Sequence, residues 1–284
     1  MELALGTVQF GMAYGIAGSG AAAPAEEAAA ILACAFEAGV RWLDTAAAYG
    51  DAEARLRSLM GRHAFKVVTK LRPAPADRHG DALAQWAQEE LQRSRECLGD
   101  ALHVLMFHRP EDLLSPDGPL LWEAAARFAR DAHCALGASC YEPALVEKLR
   151  LHYPIELAQL PGNALDQRLA QAQPPVAIHL RSAFLQGLLL MPPEQGARRL
   201  PAAAAALERW HAWCRERGLA PLVAALGIAK GLPAVTHCVV GAETLAQFEA
   251  IARAWQDAPV LHAPGLAVDD LAVIDPRHWK AESA

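Results

Sequence analysis

Short apolar runs alternate with longer amphipathic segments along most of this chain, and that alternation constrains the fold more than any other feature. Runs of this length and composition are typical of buried parallel strands, and the segments between them are typical of helices, so the pattern indicates repeated βα units. Eight runs fit: Leu3 to Thr7, Val40 to Thr45, Lys66 to Lys70, His103 to Phe107, Cys134 to Ala138, Glu156 to Gln159, Val176 to Leu180 and His237 to Val240.

The segments between the runs predict helices. They are Ala25 to Ala38, Ala52 to Met60, Asp81 to Leu98, Leu120 to Asp131, Glu142 to Leu151, Asn163 to Ala172 and Ala202 to Glu216, with Glu243 to Ala254 after the last strand. Gly39, Gly99 and Gly218 stand where a left-handed C-terminal cap is expected. Leu180 to Pro201 has no clean period and predicts a long loop, whereas Leu219 to Gly231 has a helical pattern.

Eight parallel strands with helices between them can form an open sheet or a closed barrel. Closure removes both sheet edges, which favours the barrel. Barrels of this class reach about 250 residues as one domain. We therefore predict an α/β protein with a (β/α)8 TIM barrel, in one domain that spans residues 1–284.

Composition narrows the classes of partner. The chain is 53% hydrophobic and 20% charged, which provides for a large core, and its net charge of −6 offers no positive field for a nucleic acid. No run of about 18 apolar residues predicts a membrane span, so neither nucleic acid nor membrane is an expected partner. Oligomeric state is not specified by the sequence.

The six cysteines include no CxxC pair, which predicts buried free thiols. The segment from Met1 to Gly11 lacks the basic start and apolar run of a leader, which predicts a reduced, cytoplasmic protein. The eleven histidines include no HxH or HExxH spacing, so no metal site is expected.

Four polar residues stand at or just beyond the carboxyl ends of the second, third and fourth predicted strands. Asp44 and Lys70 end two of these strands, His108 follows the next, and Tyr49 lies in the loop after Asp44. Active sites of α/β barrels lie on this face. The placement therefore predicts that the four side chains converge.

The residue types in this group suit the reduction of a carbonyl. A buried aspartate and lysine must pair, and a lysine cation beside a phenol is expected to lower the pKa of Tyr49 from about 10. Tyr49 then serves as a general acid and base for the oxygen of a carbonyl that receives a hydride. His108 is expected to hydrogen-bond the same oxygen and orient it.

These segments resemble the aldo-keto reductases. The resemblance lies in LGTVQFG from Leu5, LDTAAAYGDAE from Leu43, VVTK from Val67 and VLMFHRP from Val104, and it continues in LGAS from Leu136, Gln159, RSAFLQG from Arg181 and VGAET from Val240. It implies an enzyme that uses NADP(H) or NAD(H) to interconvert an aldehyde, ketone or sugar aldose with its alcohol by direct hydride transfer. The expected partner is thus a small carbonyl or alcohol compound.

The resemblance also implies the residues that bind the cofactor. Ser139 and Gln159 are expected at the nicotinamide carboxamide, Arg181 beside the nicotinamide, and Ser182, Phe184 and Gln186 along the pyrophosphate. The remaining expected cofactor residues are Gly6, Thr7, Gly241, Glu243, Thr244 and Gln247, with Tyr14 on the substrate side.

Several alternatives stay open. Cys140 stands where many members have asparagine, and Glu243 and Gln247 stand where NADP-preferring members have cations, although Arg253 or Lys230 could compensate. The choice between NADP and NAD is therefore unresolved. Gly6, Gly11, Gly137 and Gly241 suit tight turns as well as close approach of a cofactor, and Ser139, Gln159, Arg181 and Glu243 have ordinary structural roles available. A cofactor-binding redox sensor without turnover is the alternative function.

Overall fold

The computed structural model describes residues 1–18, 20–172 and 174–279, and parallel strands form a closed barrel in it. The eight strands are β1 (Glu2–Gly6), β2 (Trp42–Asp44), β3 (Lys66–Leu71), β4 (Leu102–Phe107), β5 (Ala135–Ser139), β6 (Leu157–Pro161), β7 (Ala177–Arg181) and β8 (Val235–Gly241). They follow chain order around the barrel, and β8 closes it on β1, where Gly241 pairs with Gly6. The predicted (β/α)8 barrel is confirmed.

Helices surround the barrel. They are α1 (Val8–Gly11), α2 (Ala25–Glu37), α3 (Ala52–Leu59), α4 (Gly80–Leu98), α5 (Gly118–Ala132), α6 (Pro143–Arg150), α7 (Arg168–Gln171), α8 (Pro193–Arg199), α9 (Ala204–Glu216), α10 (Pro221–Gly231), α11 (Leu245–Asp257) and α12 (Leu271–Ile274). The three predicted glycine caps are confirmed, because Gly39, Gly99 and Gly218 have φ values of 89°, 54° and 63°.

Two predictions between the sixth strand and the ninth helix were wrong. The helix expected over Asn163 to Ala172 is only the short α7, because the Asn163 side chain accepts hydrogen bonds from the backbone N–H groups of Leu165 and Asp166 and holds a turn. The loop expected over Leu180 to Pro201 contains α8 and short 3-10 turns. Pro193 at the first turn of α8 is a favourable helix start that the apolar period did not show.

The barrel interior changes character from one end to the other. Trp42 lies near its amino-terminal end, where its ring contacts the rings of His103, His179 and His237. Above it, Val68, Val104, Met106 and Leu157 form an apolar layer. Alternate residues of each strand point inward, so the next inward positions, at the carboxyl ends, include Asp44 and Lys70. The alternation along the strands thus places polar side chains at the carboxyl-terminal rim, above an apolar layer that fills the barrel interior.

The thiols and helices show two further features. All six cysteines are free, but only Cys140, Cys214 and Cys238 are buried, so the prediction of buried thiols was wrong for the partly exposed Cys34, Cys97 and Cys134. Among the helices that the structure describes, none is both long enough and apolar enough to cross a membrane.

Candidate active site

A cleft of about 520 Å³ opens at the carboxyl end of the barrel. This volume lies in the range of small-molecule and cofactor sites. Thirteen of the predicted site residues line it: Gly6, Thr7, Tyr14, Asp44, Tyr49, Gln159, Arg181, Ser182, Phe184, Gln186, Gly241, Glu243 and Gln247. The other four predicted residues do not line the cleft: Lys70, His108, Ser139 and Thr244. Lys70 and Ser139 are hydrogen-bonded to the lining residues Asp44 and Gln159, and the His108 ring contacts the ring of Tyr49.

Asp44 is the centre of a buried polar network on the cleft floor. Its Oδ1 accepts a hydrogen bond of 2.7 Å from the Lys70 ammonium, and its Oδ2 accepts one of 2.6 Å from the Gln159 amide. Lys70 also donates to the carbonyl of Thr45 at 2.8 Å, and Ser139 donates to Gln159 at 3.4 Å. The expected pairing of Asp44 with Lys70 is present. The sequence left open whether Gln159 and Ser139 have structural roles. In the structure Gln159 holds Asp44, and Ser139 holds Gln159.

Burial and the ion pair act against each other on Lys70. The lysine is 1% exposed, and burial lowers its pKa, whereas the Asp44 carboxylate at 2.7 Å favours the charged ammonium. Breaking such a pair leaves the other charge buried and uncompensated. The two residues therefore depend on each other for stability at this position.

Tyr49 lies above this network. The Lys70 ammonium is 5.2 Å from the centroid of the Tyr49 ring, and the His108 ring is 5.7 Å from it in an edge-to-face arrangement at 89°. The four residues predicted to converge are therefore together at one rim. Nothing in the sequence indicated the relative orientation of the two rings.

The expected lowering of the Tyr49 pKa is not what the structure shows. Burial raises the pKa of Tyr49 above its ordinary value, the Asp44 carboxylate acts in the same direction, and Arg181 opposes them. Asp44 offsets part of the Lys70 charge, so the lysine does not outweigh the effect of burial on Tyr49. The raised pKa keeps the phenol protonated at neutral pH, the form that donates a proton to a carbonyl oxygen.

His108 is neutral near pH 7. Burial lowers its pKa to about 4, and the positive charge of Lys70 adds to the effect. Its Nδ1 is buried without a hydrogen-bond partner in the part of the chain that the structure describes. A neutral imidazole carries one N–H donor and one acceptor, so a polar ligand atom beside Tyr49 would find a hydrogen-bonding group on His108.

Close backbone packing holds the loop that carries Tyr49. A Cβ on Gly11 would overlap the carbonyl oxygen of Tyr49, and a Cβ on Gly50, which has φ of 59°, would overlap the carbonyl oxygen of Gly11. Only glycine permits this approach of α1 to the loop after β2. The open question about Gly11 is thus answered by backbone contact with the Tyr49 loop.

The loop after β7 forms one wall of the cleft. Ser182, Leu185, Gln186 and Gly187 all have positive φ, which turns the chain sharply and leaves Phe184 and Gln186 at the cleft surface. The segment after α1 packs on this wall, because a Cβ on Gly187 would overlap the Cβ of Ala17. Both segments therefore contribute to the cleft lining, through Ala17 and Gly187 among others.

The start of α11 forms the far end of the cleft. Thr244 is the N-cap of this helix and accepts a hydrogen bond from the Gln247 N–H, while the Gln247 side chain accepts one from the Glu243 N–H at 2.8 Å. Thr244 and Gln247 therefore have local capping roles. The Glu243 carboxylate reaches toward the opposite wall, since its Oε1 lies 2.8 Å from the position of a Cβ on Gly18.

Sequence reasoning missed several lining residues. Gln9 lines the cleft, and its Oε1 is buried without a partner in the described part of the chain. The amide also packs so closely on Gly241 that a Cβ there would lie 2.6 Å from this oxygen. Gln9 belongs to the LGTVQFG segment, so its polar side chain next to a strand end was an available signal. Leu190, Met191 and Leu222 line the cleft from segments that carried no such signal.

One protein family matches nearly the whole chain in sequence. The sequence model of the aldo/keto reductase family matches residues 2–261. No curated protein matches the chain in sequence.

Solved structures share the fold at low identity. The holo form of an aldo-keto reductase from Bacillus halodurans superposes with a TM-score of 0.71 at 19% identity, covering 98% of this chain and 95% of that one. A glycerol dehydrogenase from Gluconobacter oxydans gives 0.68 at 18%, covering 89% and 86%. A putative aldo-keto reductase from Pseudomonas aeruginosa gives 0.64 at 21%, covering 90% of each chain.

Proposed function

The chain belongs to the aldo/keto reductase family of NAD(P)-dependent oxidoreductases, and from that premise we propose that it interconverts an aldehyde, ketone or sugar aldose with the corresponding alcohol through Tyr49. The observation that carries the proposal is the position of Tyr49, which lines the cleft with its ring centroid 5.7 Å from that of His108 and 5.2 Å from the ammonium of Lys70, the partner of Asp44. A cytoplasmic location is part of the same proposal.

The cleft fits a nicotinamide dinucleotide. Its lining runs from Tyr49 and Asp44 past the loop after β7 to Glu243 at the start of α11. The buried, unpartnered Oε1 of Gln9 offers an acceptor along its length. Gln159, Ser182 and Gln186 are the further polar groups that would hold the cofactor, which supplies the hydride.

Each catalytic group then has a defined task in carbonyl reduction. Tyr49 donates its phenolic proton to the carbonyl oxygen as the carbonyl carbon receives the hydride, which gives the alcohol and leaves a phenolate. Neutral His108 hydrogen-bonds the same oxygen and orients it. Lys70, held in place by Asp44, stabilises the negative charge that remains on Tyr49. The reverse sequence oxidises an alcohol.

Turnover separates this proposal from the alternative of a redox sensor without activity. The full chain is incubated with NADPH or NADH and with aldehydes, keto sugars and pyridoxal, and loss of reduced nicotinamide is followed by absorbance. We expect turnover of at least one of these carbonyl compounds. Binding of the cofactor with no turnover across such a panel would favour the sensor.

Cofactor choice gives a sharper prediction, since Glu243 is a carboxylate on the cleft surface. A carboxylate repels a 2′-phosphate and accepts a hydrogen bond from a free 2′-hydroxyl. Of the candidate compensating cations, Arg253 pairs with Glu249 and Lys230 donates to the carbonyls of Trp255 and Ala258. We expect the parent to bind both cofactors and Glu243→Arg to shift the ratio of the two dissociation constants toward NADPH by about tenfold or more.

Fluorescence titration with NADH and NADPH measures this ratio. Asp257→Arg is the matched control, because it makes the same charge change at the exposed end of α11, outside the cleft lining, and should leave the ratio unchanged. A parent that already favours NADPH by about 100-fold, or an unchanged ratio in Glu243→Arg, means that Glu243 does not face the adenosine ribose.

A further inference from the structure

Arg181 is a partly buried cation on the cleft surface without a carboxylate partner. Its guanidinium donates two long hydrogen bonds, 3.3 Å to the carbonyl of Cys140 and 3.4 Å to the hydroxyl of Ser182, and it lies 4.1 Å from the centroid of the Tyr141 ring. Within residues 1–18, 20–172 and 174–279, no carboxylate oxygen lies within 4.0 Å of it. Its guanidinium therefore has no ion-pair partner among these residues.

Two other arginines, Arg168 and Arg277, do have carboxylate partners. Arg168 pairs with Asp166 at 2.7 Å, and Arg277, which also stacks on Tyr141, pairs with Asp275 at 2.6 Å. Asp166 and Asp275 are both fully buried. Arg181 differs from both in having no carboxylate partner, so its guanidinium is available to pair with an anion in the cleft that it lines.

Arg181 also lies close to the reacting groups. It follows the inward register of β7 at the carboxyl rim, next to the loop after β5, and shares the cleft with Tyr49. Burial sets the direction of the pKa shifts of Tyr49 and His108, and Arg181 acts on both as a nearby positive charge. The carboxylate at the cleft floor, on Asp44, is already bound to Lys70 and Gln159.

We propose that Arg181 binds an anionic group of the substrate, so that the enzyme acts on carbonyl compounds that carry a carboxylate or a phosphate near the carbonyl. This inference rests on the proposed carbonyl reduction and narrows its substrate class. The planar guanidinium suits such a group because it can form two parallel hydrogen bonds to a carboxylate or phosphate. Its present acceptors, at 3.3 and 3.4 Å, are weak enough to be exchanged.

The cofactor diphosphate is the other source of an anion in this cleft. Sequence resemblance implies that Arg181 lies beside the nicotinamide, whereas Ser182, Phe184 and Gln186 lie along the pyrophosphate. The position of Arg181 near Tyr49 favours the substrate as the source. A measurement must therefore follow substrate preference and cofactor affinity separately.

The experiment compares succinic semialdehyde with its methyl ester, and glyceraldehyde 3-phosphate with glyceraldehyde, as substrates of the full chain with NADPH or NADH. Each pair keeps the aldehyde and changes the anionic group. We expect the parent to favour the anionic member in kcat/KM by about tenfold or more in at least one pair, and Arg181→Gln to lose that preference. Arg181→Lys, which keeps the charge but not the paired geometry, should retain part of it.

Arg198→Gln is the matched control. Arg198 is exposed on α8, which directly follows Met191 and Pro192 of the cleft wall, but it lies outside the cleft lining, so this variant removes a cation from the same side of the cleft without breaking a contact of the Tyr49 loop. Its substrate preference should equal that of the parent. The dissociation constants of NADPH and NADH are measured for every variant.

The outcomes are distinct. A preference for the anionic substrates that Arg181→Gln removes supports the proposal. An unchanged preference in Arg181→Gln, no preference in the parent, or a rise in the cofactor dissociation constant with no change in preference overturns it. Butyrate and butyramide are also titrated into the complex with oxidised cofactor. If no aldehyde is turned over but butyrate binding requires Arg181, the proposed reduction fails while the anion site stands.

Discussion

Replacing Tyr49 with phenylalanine should lower kcat for carbonyl reduction by about 100-fold or more while the fold and the cofactor dissociation constant are retained. The substitution removes one oxygen and keeps the ring that packs edge-to-face on His108 at 5.7 Å. The raised pKa of Tyr49 means that this oxygen carries a proton at neutral pH, so its loss removes the proposed acid directly. Steady-state kinetics with the best aldehyde of the panel, together with cofactor titration, measure both quantities.

Tyr153→Phe is the matched control for this variant. It removes the same atom from a tyrosine that donates to the Leu113 carbonyl at 2.9 Å and does not line the cleft. We expect a loss of stability of about 1 kcal/mol and parental kcat. If Tyr49→Phe instead reduces the aldehyde at the parental rate, Tyr49 is not the proton donor.

The sequence predicted the positions of these groups because the βα repeat turns order along the chain into order around the barrel. A residue that ends a strand must lie at the carboxyl rim, and parity within the strand decides whether it points inward. Asp44 and Lys70 met the first condition, so their convergence at the rim was predicted from their places in the strands, whereas their inward direction is seen in the structure. Their ion pair then followed from the cost of burying either charge without the other.

Other features of the site depend on distances that no local pattern carries. The hydrogen bond from Gln159 to Asp44 joins residues of β6 and β2 across the barrel interior. The pKa of Tyr49 was predicted in the wrong direction because the sequence showed the lysine charge but not the extent of burial or the compensation by Asp44. The lack of a carboxylate near Arg181 is likewise visible only once all strands are in place.

Lys70→Met should abolish most of the activity and also destabilise the fold by about 3 to 5 kcal/mol. The lysine is 1% exposed, and its removal leaves the Asp44 carboxylate, 5% exposed, with the Gln159 amide as its remaining side-chain partner. Chemical denaturation of the full chain measures the free energy of unfolding. Lost activity by itself is therefore ambiguous between catalysis and stability.

The double variant of Asp44→Asn with Lys70→Met resolves this ambiguity. It removes both charges of the 2.7 Å ion pair, so no uncompensated carboxylate remains on the cleft floor. We expect most of the stability to return without the activity, because the lysine that stabilises the Tyr49 phenolate is still absent. Recovery of activity together with stability would mean that Lys70 serves only to hold the fold.

The pH dependence of the residual activity tests the same role through the charge on Tyr49. In alcohol oxidation the phenolate accepts a proton, so the rate rises with pH toward the pKa of Tyr49. Burial already raises this pKa, and in Lys70→Met the Asp44 carboxylate, which acts in the same direction, loses its compensating cation. The pH-dependent rise in the rate (the rate limb) should therefore move to higher pH. At a fixed pH below this rise, a tenfold higher proton affinity of the phenolate lowers the rate about tenfold.

The double variant supplies the comparison for this limb. Its Asp44 carboxylate is gone, so the limb should lie at lower pH than in Lys70→Met. Removing Lys70 leaves the Asp44 carboxylate unpaired beside the phenol, so a lysine that tunes the pKa of Tyr49 must shift the pH range over which the rate rises. If this range is the same in the parent and in Lys70→Met, Lys70 does not tune the pKa of Tyr49.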